Sequence, residues 1–310
     1  MSISVIIPTY RRPADLTRCL EAIKRQTRPP EEIIVVARYD DVETWRLLNQ
    51  YATLMLLKTI SVDVPGVIAA MNAGLKAASG DILGFTDDDA VPHIDWLEKI
   101  ETHFLENEQV GGVGGRDLIY QSGSTFEQTQ VMVGKLQWYG RMIGNHHIGK
   151  GQAREVDFLK GVNMSFRRIA VGNLRFDSRL LGSGAQVHFE VAFCLSLKQK
   201  GWKLIYDPTV LVDHYPAMRF DEDQRHNFNE TAFFNEIHNE TLALLDYLSP
   251  IQRVVFLVWS VLVGTRRAFG VIQYFRFLFS EGSLAWRKWI VSMRGRKQGI
   301  LTWLHVTQQT

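Results

Sequence analysis

The chain is poor in cysteine. Its 310 residues include only Cys19 and Cys194, and both lie in apolar helical patterns. We therefore expect buried free thiols and a reducing compartment rather than a disulfide framework. The two cysteines and nine histidines show no zinc-ligand spacing, and the sequence has neither a Walker motif nor a G-x-G-x-x-G fingerprint. These absences exclude a disulfide-stabilised scaffold and argue against a zinc site or a P-loop nucleotidase.

Long apolar runs and C-terminal acids are also scarce. No stretch reaches about 18 uninterrupted apolar residues, so the sequence predicts no certain membrane span. The N-terminus shows no signal peptide and runs straight into a strand-like segment. From Ser249 onward there are nine Lys/Arg residues and one acid, Glu281, a charge of +8. Because the whole chain carries +2, residues 1–248 carry about −6.

The first hundred residues alternate between short apolar runs and helical patterns. The runs are continuous rather than alternating, which is typical of parallel strands covered on both faces. The pattern therefore predicts an α/β fold with a Rossmann-like, mostly parallel sheet. The predicted strands are 3–10, 31–37, 54–60 and 81–87, and the predicted helices are 12–27, 42–52, 65–79 and 94–104.

The middle of the chain shows less periodicity. Residues 111–155 contain "GGVGGRD" and "MIGNHHIGKGQ", and we expect a less regular region over the sheet edge there. Residues 161–168 predict another strand, and 188–201 predict a helix that ends at Gly201. Residues 203–215 predict a pair of strands broken at Pro208.

Three consecutive acids, Asp87, Asp88 and Asp89, follow the fourth predicted strand. Ligands of open parallel sheets bind beyond the carboxyl ends of the strands. A divalent cation would relieve the mutual repulsion of the carboxylates, and hard oxygen ligands suit Mg²⁺ or Mn²⁺. The alternative is a solvated acidic turn or an N-cap cluster for the helix that follows.

Four ordered blocks resemble the family 2 glycosyltransferases of GT-A fold. They are "VIIPTYRR", "GLKAASGDILGFTDDD", "GVNMSFRR" and "HFEVAFCLSLKQKGWKLIYDP", and together they cover roughly residues 3–215. In that family the aspartates form a DxD-type motif. The resemblance implies that Asp87 and Asp88 face the nucleotide and that Asp89 holds the cation. It also implies a donor pocket that includes Pro8, Thr9, Tyr10, Arg12, Asn72, Gly161 and Asn163.

The chain departs from the family pattern at two positions, and one histidine is a further candidate site residue. The base-reading "VDDGS" run reads "VVARYDD" here, so Asp40 or Asp41 is the candidate for that role. Met71 stands where family members often carry arginine, so a positive contact to the diphosphate comes from elsewhere. His214 is a candidate metal ligand, with a structural histidine as the alternative.

Glycosyl transfer to a hydroxyl needs a base that accepts the hydroxyl proton. The family base lies near the start of the helix that here runs to Gly201, commonly as "ED". The matching pair is Phe189–Glu190, and Glu190 is therefore the candidate base. A helix N-terminal glutamate that interacts with the helix dipole is the alternative.

The resemblance implies a metal-dependent, inverting glycosyltransferase with a nucleotide-diphospho-sugar donor, most simply a UDP-sugar, and a lipid-linked or polysaccharide acceptor. We expect a catalytic domain over 1–220, with a nucleotide-binding half (1–115) and an acceptor-binding half (116–220). Residues 221–310 would form a helical, basic and hydrophobic C-terminal region that contacts an anionic membrane. The expected location is the cytoplasmic face of the cell membrane, with no nucleic-acid partner. The alternatives are a sugar-1-phosphate nucleotidyltransferase and a non-catalytic nucleotide-sugar-binding protein.

Overall fold

A computed structural model describes residues 1–52, 57–120, 129–224 and 228–307. The chain divides into two compact units. The sheet unit comprises Met1–Lys135, Ile143–Phe176 and Phe193–Ala217. The helical unit comprises Leu136–Met142, Asp177–Ala192 and Met218–Thr310.

The strands are β1 (Ile3–Thr9), β2 (Glu32–Arg38), β3 (Leu57–Val62), β4 (Ile82–Thr86), β5 (Ala90–Pro92), β6 (Val110–Ile119), β7 (Lys135–Leu136), β8 (Met142–Ile143), β9 (Arg154–Val156), β10 (Asn163–Arg167), β11 (Lys203–His214), β12 (Gly264–Thr265) and β13 (Ala268–Phe269). The helices are α1 (Pro13–Lys24), α2 (Val42–Tyr51), α3 (Val67–Ala77), α4 (Trp96–Glu106), α5 (Arg168–Val171), α6 (Phe189–Gln199), α7 (Glu230–Tyr247), α8 (Pro250–Leu262), α9 (Val271–Glu281) and α10 (Ser283–Thr307).

The central sheet of the sheet unit has the order β3-β2-β1-β4-β10-β6-β11-β5, and β9 pairs with β11. Strands β1 to β4, β6 and β11 run in one direction, because β10 is antiparallel to both β4 and β6. The short strands β5 and β9 are antiparallel to β11. The predicted mostly parallel α/β sheet is therefore confirmed.

Helices cover both faces of this sheet. Along β1, Val5 and Ile7 belong to the core cluster that also contains Leu16 of α1 and Trp96 of α4. Ile6 points the other way, and its side chain lies against α3, where a Cβ on Gly74 would approach Ile6 Cγ2 to 2.4 Å. Successive strand residues thus supply two cores, as a strand buried on both faces requires.

The glycine-rich "GGVGG" segment lies in β6, a regular inner strand of the sheet. The prediction of an irregular region at the sheet edge was therefore wrong for this segment. Its glycines let neighbouring strands approach closely. A Cβ on Gly112 would lie 2.7 Å from Leu204 Cδ2, and one on Gly115 would lie 1.8 Å from the Val210 carbonyl oxygen. Glycine hides the hydrophobic periodicity by which strands are recognised in a sequence.

Residues 203–214 form one strand, β11, rather than the predicted pair broken at Pro208. The pairing of β11 with β6 shifts register between Asp207 and Leu211. Such an irregularity accommodates Pro208, since proline cannot donate to the ladder. The strand therefore continues to His214.

The C-terminal region is helical, as predicted. Helix α10 packs along α7. A Cβ on Gly299 would lie 2.8 Å from Thr241 Cβ, and a Cβ on Gly295 would lie 2.9 Å from the Phe234 carbonyl oxygen. Among the described residues, no helix is both long enough and apolar enough to cross a membrane. Both cysteines are buried and free, which confirms the expected thiols.

Candidate active site

The carboxyl ends of β1 and β4 meet at one rim of the sheet. These strands are parallel neighbours, with Ile6 opposite Phe85, so the loops that follow them emerge side by side. Thr9 ends β1, and its hydroxyl Oγ1 donates to Asp88 Oδ2 at 2.8 Å. This bond ties the loop after β1 to the acidic loop after β4.

Asp88 is held by partners on both carboxylate oxygens. In addition to Thr9, Arg12 Nη1 donates to Asp88 Oδ1 at 2.9 Å. Burial and the neighbouring Asp89 raise the pKa of Asp88 to about 7, against the lowering effect of Arg12 and Thr9. Asp88 therefore connects the loops after β1 and β4. Because each of its carboxylate oxygens already accepts a hydrogen bond, Asp88 is a poor candidate for a metal ligand.

Asp87, Asp89 and His214 form a separate group suited to a metal ion. Each offers one ligand atom, and the three atoms lie within 4.8 Å of one another. His214 enters at the end of β11, and its Nε2 lies 3.4 Å from Asp89 Oδ1. The Asp89 Oδ2 atom accepts from the backbone N–H of Ala217 at 2.9 Å. The acidic loop and the end of β11 thus converge on one point.

The surroundings of this group favour a charged Asp89 carboxylate. Burial raises the pKa of Asp89, but His214, the Ala217 N–H and Arg12 outweigh it and hold the pKa at about 2. Burial lowers the pKa of His214, yet the nearby Asp117 and Asp89 carboxylates raise it to about 9. Without a metal ion, the protonated imidazole and the Arg12 guanidinium are positive charges beside Asp89.

The side chains at this site match the ligand preferences of a divalent cation. Both ring nitrogens of His214 are buried, and neither makes a hydrogen bond to a described group. Two carboxylates and one imidazole form a donor set that Mg²⁺ tolerates and Mn²⁺ accepts readily. Binding would release the proton from His214, because a metal ligand must be deprotonated. The cation would be held by Asp87, Asp89 and His214.

The sequence did not reveal an ion pair between buried Asp117 and half-buried Lys160, beside His214. Asp117 of β6 is fully buried, and its Oδ2 lies 3.7 Å from His214 Nδ1. Lys160 donates to the same carboxylate. Burial raises the pKa of Asp117, but Lys160 and His214 outweigh it and lower the pKa to about 2. The sequence signal for this pair was the acid in "GGRDLI". It was missed because that segment was predicted to be irregular.

Cations and acids surround Tyr10 beside the rim. The Tyr10 ring lies 4.9 Å from the Arg11 guanidinium and 4.7 Å from that of Arg38. Arg38 also pairs with Asp40 at 3.0 Å. These contacts place Tyr10 and Asp40 in one neighbourhood at the ends of β1 and β2.

Asp41 caps a helix and also holds the loop after β1. It is buried, accepts from the Thr44 N–H at 3.2 Å as the N-cap of α2, and accepts from the Arg11 N–H at 2.5 Å. Pro8 lies near the end of β1 opposite Val36. The role of each in donor binding stays a prediction.

The two predicted asparagines are committed to other parts of the sheet unit. The Asn72 side chain bonds both backbone groups of Phe176, at 2.8 and 2.9 Å. Fully buried Asn163 accepts from Trp96 Nε1 at 2.9 Å and donates to the Val210 carbonyl at 3.0 Å. Gly161 lies in the turn before β10, and Met71 is fully buried. The Arg12 guanidinium lies 2.9 Å from Asp88 Oδ1 and 3.7 Å from Asp89 Oδ2.

Glu190 lies in the first turn of α6, within the helical unit, and is partly exposed. Two non-glycine residues just before it adopt left-handed backbone conformations, Gln186 with φ 41° and His188 with φ 75°. Such strain concentrates at functional sites. Burial lowers the pKa of His188, and Asp177 pairs with Arg179.

The mostly parallel sheet and the acidic rim at its strand ends define an α/β protein with a candidate metal site. The protein family model for glycosyl transferase family 2 matches residues 4–174, more than half of the chain. The chain therefore belongs to glycosyl transferase family 2, as the sequence blocks indicated.

Relatives extend over most of the chain. Glycosyltransferase AglE of Haloferax volcanii is 28% identical over 268 residues, which cover 84% of this chain and 80% of that protein. Glucosyl-dolichyl phosphate glucuronosyltransferase of the same organism is 24% identical and covers 69% of each. The crystal structure of S. aureus TarS 1-349 in complex with UDP-GlcNAc superposes with a TM-score of 0.65 at 16% identity, covering 97% of this chain and 82% of that one. This last likeness confirms the GT-A fold.

Proposed function

We propose that this glycosyltransferase moves a sugar from a nucleotide-diphospho-sugar, most simply a UDP-sugar, to a hydroxyl of a lipid-linked or polysaccharide acceptor, with inversion at the anomeric carbon. The observation that carries the proposal is the group of Asp87, Asp89 and His214, whose ligand atoms lie within 4.8 Å of one another at the strand ends. A Mg²⁺ or Mn²⁺ ion there would neutralise the leaving diphosphate as a Lewis acid.

The residues around Asp87, Asp89 and His214 would have distinct roles in donor binding. Arg12, held by Asp88, keeps a positive charge at the rim where the diphosphate would lie. Tyr10, Asp40 and Asp41 would contact the nucleoside. Pro8, Thr9, Asn72, Gly161 and Asn163 would shape the pocket rather than bind the donor through free polar groups, since the asparagine amides are already bonded.

Glu190 would accept the proton of the acceptor hydroxyl as that oxygen attacks the anomeric carbon. One carboxylate suffices for a single displacement, and such a step inverts the configuration. We assign donor binding to residues 1–115, acceptor binding to 116–220 and a supporting role to 221–310.

A lipid-linked acceptor would place the reaction at a membrane. The relative named for glucosyl-dolichyl phosphate supports this acceptor class, as do the excess C-terminal cations. Buried free thiols suit a reducing compartment. We therefore place the enzyme at the cytoplasmic face of the cell membrane, peripherally bound.

The test is a screen of UDP-sugars with Mn²⁺, Mg²⁺ or a chelator, read out as thermal stabilisation and as release of UDP. A donor should stabilise the protein only with the metal, and UDP should accumulate when an acceptor lipid or polysaccharide is added. Formation of a nucleotide-sugar from a sugar 1-phosphate would instead support the nucleotidyltransferase. Metal-dependent donor binding without UDP release on any acceptor would support the non-catalytic alternative.

A further inference from the structure

The exposed residues of α8 form an apolar face. Apart from Pro250 at its start, the exposed positions along this helix are all aliphatic: Ile251, Val254, Val258, Val261 and Leu262. Their spacing of three and four residues places them on one side. Phe256 and Ser260 on the other side are fully buried. A helix on a water-exposed surface carries charged or polar residues on its outer side, so this face is built to be covered.

Helix α9 repeats the arrangement. Ile272, Phe275 and Phe279 follow the same helical spacing, and their exposed fractions are 54%, 61% and 96%. Gln273 on the opposite side is buried. The two helices lie in one unit and are joined by the short β12–β13 hairpin. An almost fully exposed phenylalanine costs solubility unless it has a partner surface.

Exposed cations lie between the two helices and on α9. Arg266 and Arg267 lie exposed in the hairpin turn between the two helices, and Arg276 is exposed on α9. The guanidinium groups of Arg266 and Arg276 lie 5.6 and 5.5 Å from the Phe277 ring. The one acid of α8 and α9, Glu281, is paired with Lys288 at 2.7 Å.

We propose that the outer faces of α8 and α9 form a membrane-docking surface that lies flat in the interface of an anionic bilayer. Aliphatic and aromatic side chains would enter the boundary between headgroups and acyl chains, while the arginines bind lipid phosphates. Only one side of each helix is available, which favours a flat orientation. A second copy of the chain fits less well, because a two-fold contact would bring the arginines of both copies together. The inference rests on this surface and does not require the transfer chemistry.

The experiment is flotation of the full-length chain with phosphatidylcholine vesicles, with or without phosphatidylglycerol, at low and high salt. Binding should need the anionic lipid at low salt and weaken as salt rises. The variant Ile251→Ser/Phe279→Ser should lower the partition coefficient by about tenfold for each side chain that no longer inserts. Ile169→Ser is the matched control, since Ile169 and Ile251 are both 76% exposed.

Charge is tested separately with Arg266→Gln/Arg276→Gln, which should weaken binding to the anionic vesicles about fivefold for each arginine. Lys200→Gln, which removes an exposed cation of the sheet unit, should leave binding unchanged. Binding of UDP with Mn²⁺ reports separately on the transfer site. The proposal is overturned if the wild-type chain stays with the soluble fraction, or if light scattering shows a dimer that Ile251→Ser/Phe279→Ser dissociates.

Discussion

Replacing Asp89 by asparagine removes one of the three side chains that surround the candidate metal position, at little steric cost. The carboxylate also stabilises the fold. Its pKa of about 2 lies below the ordinary aspartate value, a difference of roughly 2 kcal/mol between the protonation states. Because that pKa is depressed, its stabilisation is present above about pH 4 and is lost as the pH falls towards about 2. The variant should therefore melt earlier than wild type at neutral pH even without ligand.

The informative quantity is the further stabilisation that UDP and Mn²⁺ add to each variant. At a ligand concentration about 100 times Kd, wild type gains about 2.7 kcal/mol. Loss of an outer-shell partner of a metal weakens binding about 10–100-fold, and a direct ligand should cost at least as much. A 100-fold loss leaves only about 0.4 kcal/mol at the same concentration. With about 2–4 °C per kcal/mol for a domain of this size, the Tm gain should fall from about 5–10 °C to about 1 °C.

The assay is thermal denaturation with UDP, with UDP and Mn²⁺, and with UDP and a chelator. Asp213→Asn is the matched control. Asp213 precedes His214 on β11, and one of its carboxylate oxygens lies 3.0 Å from His93 Nε2, but it is outside the metal group. It should keep the full metal-dependent gain. If Asp89→Asn keeps that gain as well, Asp89 is not a ligand.

Three further substitutions test the account. Glu190→Gln should leave UDP binding intact and slow sugar transfer about 10²–10⁴-fold, the usual contribution of a general base; transfer within a few-fold of wild type would move the role to Asp177 or His188. Asp117→Asn should weaken Mn²⁺ affinity about 10–100-fold by loosening His214, and unchanged affinity in a Mn²⁺ titration would remove Asp117 from the site. Asp207→Asn should destabilise the fold by about 2 kcal/mol at neutral pH. Burial raises the pKa of Asp207, but His103 and Thr209 outweigh it and hold the pKa at about 2; this contribution should vanish between about pH 4 and 2 in urea unfolding, and equal stability at pH 7 would show that these contacts contribute little.

The sequence predicted the first half of the sheet well, because β1, β2 and β4 are short apolar runs separated by amphipathic helices. The predicted third strand, 54–60, overlaps β3 at residues 57–60, and residues 54–56 lie outside the part of the chain that the structure describes. That signal is local and depends only on periodicity. It failed at β6, where glycines replace the apolar residues, and at β11, where Pro208 is accommodated by a register shift rather than a chain break. In both places pairing with a distant strand decides the structure.

The candidate site was likewise predicted only in part from the sequence. The aspartates and the Thr9–Arg12 segment were found because they follow predicted strands. Asp117 and Lys160 were missed, since their approach to His214 depends on the pairing of β6 with β11, where His214 lies opposite Ile119. The sequence likewise could not tell that Asn72 and Asn163 are bonded within the sheet unit.

The same limit applies to the C-terminal helices. Their composition predicted a basic and hydrophobic region. The division of α8 into a buried and an exposed side required the packing of the helical unit.

The proposed metal site, with His214 as a ligand beside the diphosphate, is tested most directly by pulsed electron paramagnetic resonance of Mn²⁺ bound to the protein with UDP. If His214 and the diphosphate both bind the ion, the spectrum should show a phosphorus coupling from the diphosphate together with a nitrogen coupling from the His214 ring. The variant His214→Gln should lose the nitrogen coupling alone. A phosphorus coupling without any nitrogen coupling in the wild-type protein would contradict the assignment of His214, and Mn²⁺ that remains unbound in the presence of UDP would contradict the metal site itself.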